Sequence, residues 1–264
     1  MHTELKEQLR RFWDTEELYW QTLASDDPST LKNRQKAAAF IPEGGAVLDI
    51  ACGNCANARE IERRCQYFGI DLSFTLLRRA LQPSLRLVCG DADYLPFRDG
   101  TFEAVIATYV LEHAVDPVQM LAEIRRVALS GGRIILLGPG WDFPFWYPNA
   151  LQSKAQNWRW RLAYALQRFR GQLEGLCFGR LPFYGIDHPD ALDQRFVCDG
   201  DTVYVVWTYE VIRQMERCGC SLIHWEVDDR LLGRNPAVRW FKRILMLLPA
   251  YRYAGSTVLL VFER

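Results

Sequence analysis

Short apolar runs alternate with amphipathic stretches from about residue 46 onward. Five runs have the length and the content of buried strands, at 46–50, 67–71, 85–89, 104–109 and 132–137. Three stretches between them have helical composition and length, at 56–65, 74–81 and 117–128. Strands that alternate with helices at this spacing predict a parallel sheet with helices on both of its faces.

The two ends of the chain extend this pattern. Residues 5–40 predict helices that are interrupted by the turn-forming run 25–28. One more helix and two more strands follow at 208–218, 221–227 and 256–262. About 70 residues, 138–207, separate the fifth strand from that helix, and this is much longer than a normal connection. We therefore expect an insertion there.

The composition is that of an ordinary globular protein with one large domain. The chain has 264 residues, 49% of them hydrophobic, and its formal net charge is zero, so a nucleic-acid partner is not expected. Its first residues are charged where a signal peptide would be apolar, which predicts a cytoplasmic location. The apolar run 244–248 is far shorter than the roughly 20 residues that span a bilayer. The eight cysteines are expected to be free thiols.

Carboxylates stand at the ends of three successive predicted strands, at Asp49, Asp71 and Asp91. In an open parallel sheet the ligand lies outside the carboxyl ends of the strands. Carboxylates accept hydrogen bonds from ribose hydroxyls and exocyclic amines, so these positions favour a nucleoside-like ligand. Gly53 allows a close backbone approach, and Asp71 follows at a spacing near that of a ribose-binding acid. Taken alone, Asp71 could also be a helix N-cap or a turn residue.

Four segments occur together in one order: VLDIACGNC, YFGIDLS, VCGDADYLPFRDGTFEAVIATYVLEH and ALSGGRIILL. Over residues 45–138 they resemble the motifs of class I S-adenosylmethionine-dependent methyltransferases, in particular the type 11 subgroup with ubiquinone and menaquinone methylases. The resemblance implies an α/β fold with a Rossmann-like sheet of seven mostly parallel strands and helices on both faces. It also implies a helical lid at 1–44, a cofactor-binding core at 45–140, a substrate-binding helical insertion at 141–207, and a C-terminal part at 208–264 that completes the sheet.

The resemblance implies S-adenosylmethionine as the cofactor, with S-adenosylhomocysteine as the product, and a set of residues at the strand ends that bind it. These are Asp49, Ala51, Gly53, Asp71, Leu72, Asp91, Ala92 and Tyr109. The first three would form the floor under the methionine part.

The family's loop usually reads Gly-Cys-Gly-x-Gly, whereas here Ala51 and Cys55 replace its first and third glycines. If either position needs positive φ, a side chain there costs about 1 kcal/mol or more.

The other implied contacts lie along the nucleoside. Asp71 would bind the ribose hydroxyls, and Leu72 would pack on the adenine. Asp91 and the backbone of Ala92 would read the adenine amino group and ring nitrogens. Tyr109 would lie near the sulfonium.

The spacing of Cys52 and Cys55 also matches a metal-binding or redox pair. A four-ligand zinc site needs further partners, and the sequence offers Cys218, Cys220 and His224. Because a second CxxC pair is missing, and because cysteine is common at the first position in the family, we expect no metal.

Aromatic residues crowd the beginning of the insertion. The candidate acceptor-binding residues are Trp141, Phe143, Trp146 and Tyr147, because aromatic rings dominate the walls of small-molecule pockets. The alternative interpretation is that these rings form the core of a helical cap.

An enzyme that transfers a methyl group must align an attacking O, N or C atom with that group and must exclude water. A base is needed only where the acceptor loses a proton, and the candidates are His113 and His188. Each could instead be a capping or turn residue.

The predicted activity is methylation of a small molecule such as a natural product, a quinone or a glycan intermediate. The alternatives are a catalytically silent cofactor-binding scaffold and a nicotinamide-dependent dehydrogenase, which would lack its GxGxxG turn.

Further contacts are open at this stage. In the N-terminal lid, Tyr19, Trp20 or Arg34 could reach the ligand. Segments 158–170 and 236–252 interleave cationic and apolar residues, as in a helix that lies on an anionic membrane, although ordinary packing is the preferred interpretation. The chain could be a monomer or a homodimer.

Overall fold

A seven-stranded sheet forms the centre of the computed structural model, which describes residues 2–25, 27–82, 84–228, 240 and 243–264. Its strands are β1 (Ala46–Ile50), β2 (Gln66–Asp71), β3 (Arg86–Cys89), β4 (Phe102–Thr108), β5 (Ala128–Pro139), β6 (Ser221–Val227) and β7 (Thr257–Glu263). Their order across the sheet is β3-β2-β1-β4-β5-β7-β6. The first five strands are parallel, and β7 runs antiparallel to both of its neighbours. The predicted Rossmann-like fold class is confirmed.

The strand order reverses at β1. This strand pairs with β2 on one side and with β4 on the other, so that Asp49 lies beside Gly69 and Ile106. Connections leave β1 and β4 in opposite directions from this point, and the crevice between them is the usual ligand position in such sheets. The register therefore brings the carboxyl ends of β1, β2 and β4 together.

The structure gives the bounds of eight α-helices. They are α1 (His2–Thr15), α2 (Glu17–Ala24), α3 (Pro28–Ala38), α4 (Ala58–Ile61), α5 (Phe74–Ala80), α6 (Pro117–Val127), α7 (Trp158–Phe178) and α8 (Thr208–Arg217). The prediction of a helix over 56–65 was wrong in extent, because turns occupy most of that range and only four residues are α-helical. The predicted start of the fifth strand was also late, since β5 begins at Ala128.

Local sequence explains where α6 begins and which face it buries. Asp116 accepts a hydrogen bond from the backbone N–H of Gln119 at 3.0 Å, and Pro117 occupies the first turn, where its missing N–H costs nothing. Met120, Leu121 and further apolar residues at helical spacing are buried against the sheet.

The N-terminal segment forms three helices rather than two. The predicted interruption near residue 27 is present, and Asp27 caps α3 through the N–H of Thr30 at 3.0 Å. A second break occurs at Glu16, whose carboxylate accepts from the N–H of Leu18 at 3.2 Å. The sequence reasoning missed this break because Glu is an uncommon N-cap. The division of the chain into lid, core and insertion remains a proposal.

The insertion is built around α7, the longest helix, with 21 residues. Arg168 is 3% exposed, and its guanidinium donates to the carbonyl oxygens of Trp141 and Val205. The amide of Gln172 donates to the Asp142 carbonyl at 2.6 Å. These bonds join α7 to the segments that enter and leave the insertion.

Neither α7 nor any other helix in the described part of the chain combines the length and the apolar character that crossing a bilayer requires. Of the predicted interfacial segment 236–252, residues 236–239, 241 and 242 lie outside the described residues. Segment 158–170 lies entirely on α7.

We expect Arg168→Met to lower the free energy of unfolding by about 3 kcal/mol, because two buried carbonyls lose their charged donor. This corresponds to a fall in Tm of roughly 5 to 10 °C in a thermal melt followed by circular dichroism. The matched control is Arg170→Met on the exposed side of the same helix, whose side chain is 83% exposed. Equal melting temperatures for the two variants would contradict the anchoring role.

Candidate active site

A cavity lies at the carboxyl ends of the central strands, beneath the N-terminal helices. Seven of the eight expected cofactor-binding residues line it: Ala51, Gly53, Asp71, Leu72, Asp91, Ala92 and Tyr109. They come from four separate strand ends, which the sheet brings together.

The loop after β1 has a left-handed backbone at three positions. The φ angles are 49° at Ala51, 52° at Gly53 and 58° at Cys55. Both positions that lack the family's glycine therefore take the conformation that glycine prefers, at a cost on the order of 1 kcal/mol each. Hydrogen bonds hold the turn, from Cys52 N to Ile70 O at 3.0 Å and from Cys55 N to Cys52 O at 2.7 Å.

Asp71 connects this loop to the second strand. Its two carboxylate oxygens accept from the backbone N–H groups of Gly53 and Ser73, both at 2.8 Å. Burial raises the pKa of Asp71 despite these bonds. The side chain that caps α5 is Ser73, which accepts from the N–H of Leu76 at 3.2 Å. Each oxygen of Asp71 keeps a second lone pair, with which it could accept from ligand hydroxyls.

Asp49 lies below the cavity and is not part of its lining. It accepts from Asn57 Nδ2 at 3.0 Å and from the Tyr67 hydroxyl at 2.7 Å. Burial raises its pKa to about 6. Its position supports the loop from beneath, whereas the sequence reasoning expected it in the floor against the ligand.

An ion-pair cluster that the sequence reasoning missed closes one end of the cavity. The Lys6 ammonium of α1 lies 2.8 Å from Asp91 Oδ2 and also pairs with Asp93. Asp91 Oδ1 accepts from the N–H of Asp93 at 2.9 Å. More than 80 residues separate the lysine from these acids in sequence, so no local pattern could have joined them.

The N-terminal helices supply the roof of the cavity. Tyr19 and Arg34 line it, as the lid hypothesis allowed. Trp20 does not, because its ring stacks under the Arg79 guanidinium at 3.7 Å. Arg34 Nη1 donates to Thr108 Oγ1 at 2.8 Å, which joins α3 to the end of β4.

The helix α2 also touches the loop after β1. The Leu23 carbonyl accepts from Asn54 Nδ2 at 2.7 Å, and the Leu23 side chain faces the backbone of Gly53. Three N-terminal helices thus contact the residues that surround the cavity.

A wider cleft opens beside the cavity. The two spaces share six lining residues: Tyr19, Leu23, Arg34, Asn54, Tyr109 and His113. Tyr109 stands at the junction with a φ of 55°, and its N–H donates to Leu137 O at 2.6 Å. A ligand in the cavity and a second molecule in the cleft would therefore meet near Tyr109 and His113.

Acidic groups surround His113 at this junction. Its Nδ1 lies 3.3 Å from the Asp201 carbonyl and 3.5 Å from Asp201 Oδ2, and its Nε2 lies 4.0 Å from Glu112 Oε1. Burial alone lowers the pKa of His113, but the carboxylates of Asp201 and Glu112 outweigh it and the pKa is raised. Burial raises the pKa of Glu112 to about 7 and also raises that of Asp199.

His188, the second catalytic candidate, is not brought to this junction. It is an exposed residue whose Nε2 lies 2.6 Å from Asp193 Oδ2, and it lines neither the cavity nor the cleft. Its surroundings fit the alternative interpretation of an ordinary turn residue.

The four aromatic residues expected to bind the acceptor also line neither space. Phe143 is 1% exposed, and its ring packs against Trp146 at 4.6 Å and Tyr251 at 5.3 Å. Trp141 is buried, and Tyr147 packs on other rings of the insertion. Their positions support the alternative interpretation, in which these rings form the core of the cap.

Cys52 and Cys55 are buried, and their sulfur atoms lie 3.7 Å apart. The hydrogen bond between the two thiols lowers the pKa of Cys55 and, with burial, raises that of Cys52. Within the described ranges no three His, Cys, Asp or Glu side chains are grouped so that they could hold a metal ion.

Comparison with known proteins gives one family. Residues 48–136 match the family described as a methyltransferase domain. An uncharacterised 37.1 kDa protein from a transposon of Streptomyces fradiae is 31% identical over 148 residues, which are 52% of this chain and 43% of that protein. The demethylmenaquinone methyltransferase of Thermobifida fusca is 35% identical over 108 residues, which are 38% of this chain and 46% of that enzyme. The chain thus spans less than half the length of either relative.

Solved structures share the fold at low identity. A methyltransferase from Thermotoga maritima, described as a possible histamine N-methyltransferase, superposes with a TM-score of 0.55 at 14% identity. The superposition covers 98% of this chain and 99% of that protein. The fold is therefore shared over 98% of the chain, whereas the family match is limited to residues 48–136.

We expect Glu112→Gln to stabilise the protein more at about pH 8 than at about pH 5. The folded state favours the neutral form of Glu112, because burial raises the pKa of this side chain from 4.5 to about 7. Its contribution to the free energy of unfolding is therefore fully present below about pH 4.5 and is lost as the pH rises through about 7. Glutamine removes the buried charge, and the gain in Tm should reach several degrees above pH 7. Exposed Glu4→Gln is the control, and a pH-independent gain for Glu112→Gln would contradict the assignment.

Proposed function

We propose that this chain, whose residues 48–136 belong to the class I S-adenosylmethionine-dependent methyltransferases as the resemblance implied, binds the cofactor in the cavity and methylates a small molecule that enters by the cleft. The observation that carries the proposal is the continuity of the two spaces at Tyr109 and His113. Methyl transfer needs the two reactants to meet in line at one point, and the junction offers that point.

The residues present fit S-adenosylmethionine, the cofactor of this family. Asp71 offers free lone pairs at the position for the ribose hydroxyls, and Asp91 offers a carboxylate for the adenine amino group. Leu72 and Ala92 line the cavity and would supply apolar contacts to the adenine. Gly53 would hold the methionine part through its backbone. Lys6 pairs with Asp91 in this structure, so the amino group of adenine would compete with the ammonium for that carboxylate.

The chain's own contribution is alignment and protection from water. The bound sulfonium supplies an activated methyl group, so the protein need not activate it further. The three N-terminal helices cover the cavity, and Arg34 ties α3 to the strand end beside Tyr109. We infer that this roof excludes water from the reacting atoms.

A proton must be removed where the acceptor attacks through a hydroxyl or a protonated amine. His113 is our candidate base, because it is the one of the two predicted histidines that lines both spaces. The contact of Nδ1 with Asp201 would fix the tautomer and leave Nε2 to accept the proton. The acceptor is a small molecule, and a natural product, a quinone or a glycan intermediate fits the proposal.

The two alternatives differ in what they require. A nicotinamide-dependent dehydrogenase is not favoured, because the loop after β1 offers Gly53 as its only glycine and residues 48–136 match a methyltransferase domain. A silent scaffold would bind the same cofactor without an acceptor, and the open cleft beside the cavity speaks against it.

We expect S-adenosylhomocysteine to bind with micromolar affinity in isothermal titration calorimetry and NAD to give no heat of binding. Asp71→Asn should weaken S-adenosylhomocysteine about 10- to 100-fold, because it removes the charged acceptor at the ribose position. Exposed Asp193→Asn is the matched control and should bind as the wild type does. Absence of binding to the wild-type protein would refute the cofactor assignment.

The roof can be tested separately. We expect Arg34→Met to weaken S-adenosylhomocysteine about tenfold, since α3 loses its bond to Thr108 at the strand end. Arg11→Met on the exposed face of α1 should leave the affinity unchanged. Equal affinities for the two variants, measured by the same titration, would show that α3 takes no part in binding.

A further inference from the structure

The helix α7 has a second apolar face that points away from the protein. Six large apolar side chains on it are between 36% and 63% exposed: Trp158, Leu162, Leu166, Phe169, Leu173 and Leu176. At 3.6 residues per turn they fall within an arc of roughly 80°. We call this set the α7 stripe. It runs for about 27 Å along the helix.

Folding of the chain does not account for the α7 stripe. The buried side of the helix is formed by Tyr164, Arg168, Gln172 and Gly175, which lie on a different arc and contact the rest of the insertion. Ordinary amphipathic packing, the interpretation preferred from the sequence, therefore explains one face of α7 and leaves the other unexplained. A contiguous apolar surface of this size that is exposed to solvent is typical of an interaction surface.

A second exposed apolar element lies beside α7. The hydroxyl of Tyr251 donates to Gln172 Oε1 at 2.9 Å, which holds the C-terminal segment against the helix. That segment carries Leu247 and Leu248, which are 82% and 50% exposed. Exposed apolar side chains therefore occur both on α7 and in a segment that is bonded to the buried side of α7.

The charges around the α7 stripe are mostly positive, although the whole chain is neutral. The exposed cationic residues in and beside α7 are Lys154, Arg159, Arg161, Arg170 and Arg180. Glu174 is the one acidic residue within α7, and it pairs with Arg170 at 2.9 Å. An apolar stripe with arginines along its edge is complementary to the surface of an anionic bilayer, where the rings enter the interface and the guanidinium groups meet lipid phosphates.

A second copy of the chain fits this surface less well. In a two-fold dimer the same patch meets itself, so Arg159, Arg161 and Arg170 of both copies would crowd together without enough acids to neutralise them. We propose that the α7 stripe seats this protein on an anionic lipid surface, with the helix lying in the plane of the interface. This surface is independent of the cofactor cavity, and its test needs no methyl transfer.

The test is sedimentation of the full chain with vesicles of phosphatidylcholine alone and of phosphatidylcholine with an equal amount of phosphatidylglycerol. We expect binding to the anionic vesicles that weakens with added salt, and little binding to the neutral ones. Leu162→Gln/Leu166→Gln should weaken anionic binding at least about tenfold, because two large apolar groups no longer enter the interface. Leu81→Gln/Val197→Gln removes exposed apolar surface elsewhere and should bind as the wild type does.

Three outcomes would overturn the proposal. The wild-type protein could fail to sediment with the anionic vesicles, or the two double variants could bind equally well. The wild-type protein could also be a dimer by light scattering that Leu162→Gln/Leu166→Gln converts to a monomer, which would assign the α7 stripe to a second copy. Circular dichroism of both variants confirms that they are folded, so a loss of binding reports on the surface itself.

Discussion

The carboxylate of Asp71 is the contact on which the candidate site depends. It receives the N–H of Gly53 from the loop after β1 and the N–H of Ser73 from the start of α5. The loop carries two side chains, at Ala51 and Cys55, in the left-handed region where glycine is preferred, and it needs external bonds to hold that shape. A buried carboxylate with two backbone donors supplies them and still presents lone pairs to a ligand.

The support continues below and above the loop. Asp49 lies beneath it and accepts hydrogen bonds from Asn57 and Tyr67. Burial raises the pKa of Asp49 to about 6 although these two bonds favour its charged form. Above the loop, Leu23 and Arg34 connect two N-terminal helices to the strand ends. The cavity therefore has a floor from the sheet and a roof from a segment that is joined to the rest of the chain by polar contacts and by the buried side chains of Leu5, Leu9, Ala37 and Ala38.

The two surfaces for which a function is proposed lie on different elements. The junction at His113 combines a histidine with several buried carboxylates, an arrangement suited to accepting a proton. The α7 stripe contains no titratable groups and faces outward from the insertion. If both proposals hold, the insertion positions the enzyme on a lipid surface while the core binds the cofactor. The insertion that the sequence suggested for acceptor recognition would then serve mainly to locate the protein.

Local pattern determined much of the fold and part of the site. The period of apolar residues predicts the strands, because side-chain alternation and burial are local properties, and the motif spacing places Asp71, Asp91 and Gly53 at strand ends. The same reasoning placed Asp49 against the ligand, and it left open whether the aromatic residues of the insertion line a pocket or form a core. The structure buries Asp49, Trp141 and Phe143. Residue type alone does not say which side of a strand or a cap a side chain faces, so these placements needed the folded chain.

Tertiary structure alone decided the contacts between residues far apart in the chain. Lys6 reaches Asp91 and Asp93 across more than 80 residues, and Asp201 meets His113 from the end of the insertion. The exposure of the α7 stripe likewise depends on which elements of the folded chain pack against α7. By itself the sequence determined most of the strands, the fold class and the family resemblance of residues 45–138, because those follow from local preference and motif order. The pairing of distant charges and the exposure of α7 required the folded chain, because they depend on how separate elements approach one another in space.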